Sequence, residues 1–135
     1  MTFPVITDVD AARINGLRML GNGDGASGLR DLMDLVEDEA HIVPRERIGR
    51  DIVTVNSTVA FRDEATGTHH KVTLVYPRDV SVPERRISIL SPVGRALLGR
   101  KVGARVIFGT PGGSQRTLRV LRLHYQPEAA GDRAL

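Results

Sequence analysis

The spacing of apolar positions changes near Pro44. Between residues 27 and 40, Leu29, Leu32, Met33, Val36 and Ala40 recur at the helical period and form one stripe, with Asp31, Asp34 and Asp38 opposite. Ser27 is placed to cap this helix, and Pro44 follows its end. A helical pattern over roughly 8–20, starting at Thr7 or Asp8, puts Ile14, Leu17 and Leu20 on one side. Gly16 weakens it by about 1 kcal/mol relative to alanine. Gly21-Asn22-Gly23-Asp24-Gly25, lying between the two, is too polar and glycine-rich for anything but a turn. Residues 1–43 therefore predict a short antiparallel helical hairpin.

After Pro44 the period shortens. Val53-Thr54-Val55, Val59-Ala60-Phe61, Val72 to Tyr76 and Ile87-Ser88-Ile89 are short β-prone runs, with Thr66-Gly67 as the turn joining the second and third. Ser91 to Gly99 predicts one or two helical turns, with proline near the start and glycine closing. Arg105 to Phe108 and Thr117 to Tyr125 read as a hairpin turned by Pro111-Gly112-Gly113. The expectation is an α+β fold, with a helical hairpin over 1–43 and an antiparallel sheet curled over a short helix in 44–135.

Charge follows the same division. The first 40 residues carry eight acids against three arginines, a net of −5, whereas residues 41–135 carry sixteen basic groups against eight acids, a net of +8. Such asymmetry points to two units in different electrostatic surroundings. Cysteine is absent, which excludes disulfides, thiolate metal sites and a cysteine nucleophile. No run approaches the roughly 18 apolar residues of a membrane span, and residues 1–10 lack the pattern of a secretion signal, so the expected location is the cytoplasm, with no membrane partner.

Two groups of segments carry a resemblance. Ile87-Ser88-Ile89-Leu90-Ser91-Pro92-Val93-Gly94-Arg95-Ala96-Leu97-Leu98-Gly99, with Thr110-Pro111-Gly112-Gly113 later, resembles the C-terminal domain of the Gre transcript-cleavage factors, whose fold is like that of the FK506-binding proteins. Asp51 to Ser57, Thr73 to Pro77, and Tyr125-Gln126-Pro127-Glu128-Ala129-Ala130-Gly131-Asp132 resemble the nucleoside diphosphate kinase regulator family. The resemblance implies a non-enzymatic regulator that binds RNA polymerase near its secondary channel, with the globular domain on the rim and the hairpin pointing inward. It places the contact at Leu90, Ser91 and Pro92, and the arm tip and acidic face at Asp24, Asp31, Asp34 and Asp38. In the Gre factors a pair of acids at the tip helps hold the polymerase magnesium. Here Asp24 stands alone, whereas hard divalent cations take several oxygen ligands. Helices of about 13 residues reach only ~20 Å. The implied protein occupies the Gre site without stimulating cleavage, and its link to nucleoside diphosphate kinase runs through transcription. Leu90 stands where the cleavage factors often have aspartate, and Ala104-Arg105 where an acidic pair is common. The alternatives are a true cleavage factor of the Gre type and a basic RNA- or DNA-binding module.

Other constellations carry less. Gly23 to Gly28 matches G-x-G-x-x-G, yet follows a helix rather than a strand, so it reads as a hairpin turn and implies no cofactor. His69-His70 reads as a solvated loop rather than a metal site, and Ser91 as a helix cap rather than a nucleophile. Prolyl isomerases of similar fold line their pocket with aromatics, and this chain has five such residues: Phe3, Phe61, Phe108, Tyr76 and Tyr125. Arg85, Arg86, Arg95, Arg100, Lys101, Arg116, Arg119 and Arg122 make nucleic acid a secondary candidate partner, but rings for base stacking are scarce, and a basic face that assists docking or is merely solvated is the first reading.

Overall fold

The computed structural model describes residues 3–17, 26–110 and 112–132. Strand β1 (Val5–Thr7) leads directly into helix α1 (Asp8–Leu17). Thr7 Oγ1 caps that helix by accepting from the Asp10 amide at 3.0 Å, and Asp8 and Asp10 sit in the first turn, where the helix dipole favours acids. Helix α2 (Ala26–Asp34) runs into a π-helical turn (Leu35–Glu39) and then into β2 (His41–Val43). β1 and β2 pair in parallel, Val5 with His41 and Thr7 with Val43, a pairing the apolar spacing did not announce. Leu20, the 21–25 cluster with Asp24, and the side chain of Ser27 lie outside the described residues, as does Pro111.

The stripe predicted for the second helix widens where the π turn begins. Leu32 and Met33 are buried as expected, but Leu35 is buried too. The Ala40 amide donates to the Leu35 carbonyl at 2.9 Å, closing a five-residue ring. Leu35 itself opens the turn and stands about 60° around the helix from Leu32, on the flank of the predicted stripe. Ile14, fully buried, is the anchor of α1; its burial favours the folded state by about 1.5–3 kcal/mol.

The second unit is a five-stranded sheet whose strands lie in the spatial order Arg86–Ser88, His69–Val75, Thr58–Asp63, Gln115–Tyr125, Arg105–Gly109. β3 (Thr58–Asp63) and β4 (His69–Val75) form a hairpin, with Gly67 in the left-handed region at φ 74°. β6 (Arg105–Gly109) and β7 (Gln115–Tyr125) form another, with Gly113 at φ 82°. The sheet departs from the wholly antiparallel expectation at one edge. β5 (Arg86–Ser88) runs parallel to β4, because the connection over 76–85, with a 3₁₀ turn at Pro77–Asp79, carries the chain back before the strand begins. Val53-Thr54-Val55 is not a strand either. The Val53 amide donates to the Arg100 carbonyl and the Gly99 amide donates to the Val53 carbonyl, and Asn56, at φ 70°, then turns the chain away.

Helix α3 (Pro92–Leu97) covers the inner sheet face with Ala96 and Leu97, followed by the buried Leu98. Val59, Phe61, Leu74, Val106, Leu118 and Val120 line that face. Ile6, Ile14, Leu32, Met33 and Leu35 of the first 43 residues join the same apolar cluster. Gly99 makes the junction close: at φ 80°, a Cβ there would stand 2.9 Å from both the Pro4 Cβ and the Val5 nitrogen.

Candidate functional site

The turn before α3 is held by its own side chains. The Ser91 hydroxyl donates to the Ser88 carbonyl at 2.6 Å and accepts from the Gly94 amide at 3.0 Å, while the Leu90 amide donates to Ser88 Oγ at 3.0 Å. Ser91 is thus the cap of α3 and Pro92 its first residue, where a missing amide hydrogen costs nothing. Leu90, Ser91 and Pro92 are all half-buried, so their exposed parts are displayed in a fixed conformation. The turn also touches α2. Gly28 approaches the Leu90 carbonyl so closely that a Cβ would stand 2.6 Å from it. Arg95 donates to the same carbonyl and faces Asp31 at 3.5 Å. Asp31, Asp34 and Asp38 are all exposed, and of the three Asp31 meets the Ser88–Gly94 turn, through Arg95.

A groove of about 840 Å³ opens beside Ser91 and Pro92. Phe61, Val72, Ile87 and Phe108 form its walls, and the Arg116–Asp63 ion pair closes one end. His70 stacks on Phe61 with ring centroids 5.1 Å apart. Val80 and Val82 stand at the lip, 46% and 84% exposed, although a monomer gains nothing from displaying them. His69 and His70 thus lie on β4 rather than in a solvated loop, because the hairpin turn ends earlier, at Thr66-Gly67. Among the described residues no group of three or more histidine, aspartate or glutamate side chains could hold a metal ion.

Three segments separated in sequence meet at Asp10, which the sequence shows only as one of eight acids in the first 40 residues. Its Oδ2 accepts from the Val55 amide at 3.2 Å and its Oδ1 from the Tyr76 hydroxyl at 3.1 Å. Burial pushes its carboxyl up from 3.8 to about 6; the Val55 amide opposes the rise and Glu128 adds to it. Burial and the neighbouring Asp10 also push the Tyr76 phenol up. Glu128 accepts from Thr54 Oγ1 at 2.7 Å. The segments at 51–57, 73–77 and 125–132 thus build one clamp that seats α1 on the sheet domain.

The last segment ties the clamp from outside. Gln126 Nε2 donates to the Gly49 and Ile52 carbonyls at 2.8 and 2.6 Å, and its Oε1 accepts from the Ala129 amide at 3.2 Å, capping α4 (Pro127–Ala130). The Tyr125 hydroxyl donates to Asp132 at 2.8 Å across the same turn. Gln126→Ala strips two carbonyls and one amide of their partner. We expect a loss of about 2–3 kcal/mol in chemical denaturation; a change below about 0.5 kcal/mol would show that water replaces the amide.

No helix among the described residues is long and apolar enough to cross a membrane. The family model for the C-terminal domain of the transcription elongation factors GreA/GreB matches residues 48–125. The "Regulator of nucleoside diphosphate kinase" of Escherichia coli (strain K12) is 40% identical over 95% of this chain and 93% of its own length. "Transcription elongation factor GreA" of Thermotoga neapolitana is 36% identical over 70% of this chain and 61% of its own. Among solved structures, the "Prokaryotic transcription elongation factor GreA/GreB from Nitrosomonas europaea" superposes with a TM-score of 0.68 at 37% identity, over 93% of this chain and all of that one. The matched domain contains the capped turn and the groove, and the near full-length relative extends the likeness through the N-terminal helices and the 125–132 tail; the chain belongs to the nucleoside diphosphate kinase regulator family within the GreA/GreB C-terminal-domain group.

Proposed function

We propose that this protein is a non-catalytic transcription regulator that docks on RNA polymerase near its secondary channel. It competes there with Gre cleavage factors and so influences nucleoside diphosphate kinase levels through transcription. The carrying observation is the Ser88–Gly94 turn, which displays Leu90, Ser91 and Pro92 in a pre-organised conformation beside an open apolar groove. A surface already ordered before binding avoids much of the entropy cost of association. Two of the relatives that share this turn's domain carry the name of transcription elongation factors. The N-terminal helices, read as the short arm, fit this role because α2 touches the turn through Gly28 and the Arg95–Asp31 pair.

Pro92→Ala removes one half-buried ring without touching the Ser91 cap, and Leu90→Asp places a charge on the displayed face. Each should weaken binding to core polymerase about tenfold, 1.4 kcal/mol, with the thermal midpoint of Pro92→Ala nearly unchanged. Unchanged affinity in both variants would remove the turn as the docking surface.

A further inference from the structure

The sheet face turned away from the core carries a band of basic side chains. Strand alternation sets His69, Arg62, Arg119 and Arg105 in one row across β4, β3, β7 and β6: Arg62 pairs with His69 and Arg119, and Arg119 with Arg105. The next row sets Lys71 and Arg122 on either side of Ala60. A register break in β7 between the partners of Ala60 and Phe61 leaves Leu121 and Arg122 both exposed.

Like charges directly opposite one another destabilise a sheet. Glu64 offsets part of that cost, its carboxylate accepting from Arg105 Nε at 2.7 Å and Arg119 Nε at 3.2 Å. Among the described residues no carboxylate pairs with Arg62, Lys71 or Arg122. His124, beside them, is held below its usual range by desolvation and then by Lys71 and Arg122. A fold that keeps such a row gives up stability there, as functional surfaces do.

We propose that this sheet face binds the phosphate backbone of duplex DNA, with Arg62, Lys71 and Arg122 as its uncompensated cations. Residues on one face stand about 7 Å apart along a strand and about 5 Å across strands, so the cations form a two-dimensional array. An extended polyanion fits such an array better than a single anionic group. The face offers no aromatic platform for a single strand. Phe61 is buried, Phe108 turns to the groove side, and the Tyr125 hydroxyl is bound to Asp132. Its exposed apolar side chains are the isolated Ile107 and Leu121, too few for the apolar centre of a protein interface. Alternation puts this band on the opposite side of the sheet from the groove at Ser91 and Pro92, so both surfaces are open together. The proposal does not depend on polymerase docking, and its test contains no polymerase.

Anisotropy of a fluorescent duplex of about 20 base pairs, titrated with the whole protein between about 50 and 200 mM salt, reads the interaction. Log affinity should fall linearly with log salt. The combined variant Arg62→Gln, Lys71→Gln, Arg122→Gln should lose affinity about tenfold or more at the lowest salt and flatten the slope by about 2.7, or 0.9 per phosphate contact. Its thermal midpoint should hold or rise as the repulsion is relieved. A control of equal charge change, Arg47→Gln, Arg50→Gln, Arg78→Gln, should stay within about twofold of the parent. Arg62→Lys with Arg122→Lys should retain binding. No duplex binding by the parent protein, equal loss in both neutralised variants, or tighter binding of a single strand of equal length would overturn the proposal.

Discussion

Gly94→Ala should unfold the Ser88–Gly94 turn rather than firm up the helix it sits in. In an open helix this exchange stabilises by about 1 kcal/mol, since glycine carries the larger entropy cost. Here a Cβ would stand 2.0 Å from the Ser88 carbonyl oxygen and 2.9 Å from Ser91 Oγ. Both atoms belong to the hydrogen-bonded turn, and the carbonyl is backbone, so no rotamer change relieves the clash. We expect a net loss of about 3 kcal/mol in chemical denaturation, with the sign reversed from the helix-propensity value. Polymerase affinity should fall further than stability alone explains, because the displaced atoms are those that present Leu90 and Pro92. A stabilised Gly94→Ala protein would mean that α3 slides away from Ser88 freely, and the pre-organised turn would be lost as an argument.

The second large effect is the pH dependence supplied by Asp10. Its carboxyl titrates near 3.8 in an unfolded chain and at about 6 when buried against Val55, Tyr76 and Glu128. Below pH 3.8 the group is neutral in both states, so its contribution to stability is fully present there. Between the two values only the unfolded chain is ionised, and the contribution falls as pH rises through about 6. The full difference is about 3 kcal/mol, taken at 1.36 kcal/mol for each pH unit between the two values. Asp10→Asn keeps an oxygen for the Val55 amide and offers its NH₂ to the Tyr76 oxygen. It should therefore abolish this window, gaining stability relative to the parent protein near pH 7 and little at pH 4. Asp10→Ala leaves the Val55 amide buried without a partner and should lose about 1–3 kcal/mol at pH 4, where the parent carboxyl is mostly protonated. Denaturation curves at closely spaced pH values decide the matter; parallel stability profiles for Asp10→Asn and the parent would remove Asp10 as the titrating group.

Much of the fold is legible where local chemistry and tertiary packing agree. The Ser91-Pro92 helix start, the Thr66-Gly67 turn and the apolar stripe at Leu32 and Met33 each follow from a short-range rule that the rest of the molecule supports. The misses have physical causes. β1 and β2 are three residues each and pair across the whole N-terminal unit, so no local period reveals them. Leu35 lies on the flank of the predicted stripe, about 60° from Leu32, and the packing of α2 on the sheet domain rather than its own spacing decides that it is buried. β5 is parallel to β4 because of where its connection returns the chain, a property of topology rather than composition.

The candidate site was legible in part for the same reason. Leu90, Ser91 and Pro92 lie on one contiguous motif, and the structure finds Ser91 at the cap where the motif required it. Asp10, Gly28 and Arg95 act through partners distant in sequence, and nothing in their local spacing sets them apart from other acids, glycines or arginines. The groove is likewise assembled from all five strands of the sheet, the start of α3 and the loop carrying Val80 and Val82. The charge division between residues 1–40 and the remainder now has a structural counterpart. Asp31, Asp34 and Asp38 line the outer side of α2 and the turn after it, while the sheet's open face carries arginines. Such opposed fields orient a partner of mixed charge during encounter.

The most direct test of the central claim is saturable binding to purified core RNA polymerase, repeated with a Gre cleavage factor as competitor. The expected result is binding that the cleavage factor displaces and that Leu90→Asp weakens. No binding at micromolar concentrations, or binding that a saturating cleavage factor leaves untouched, would contradict it.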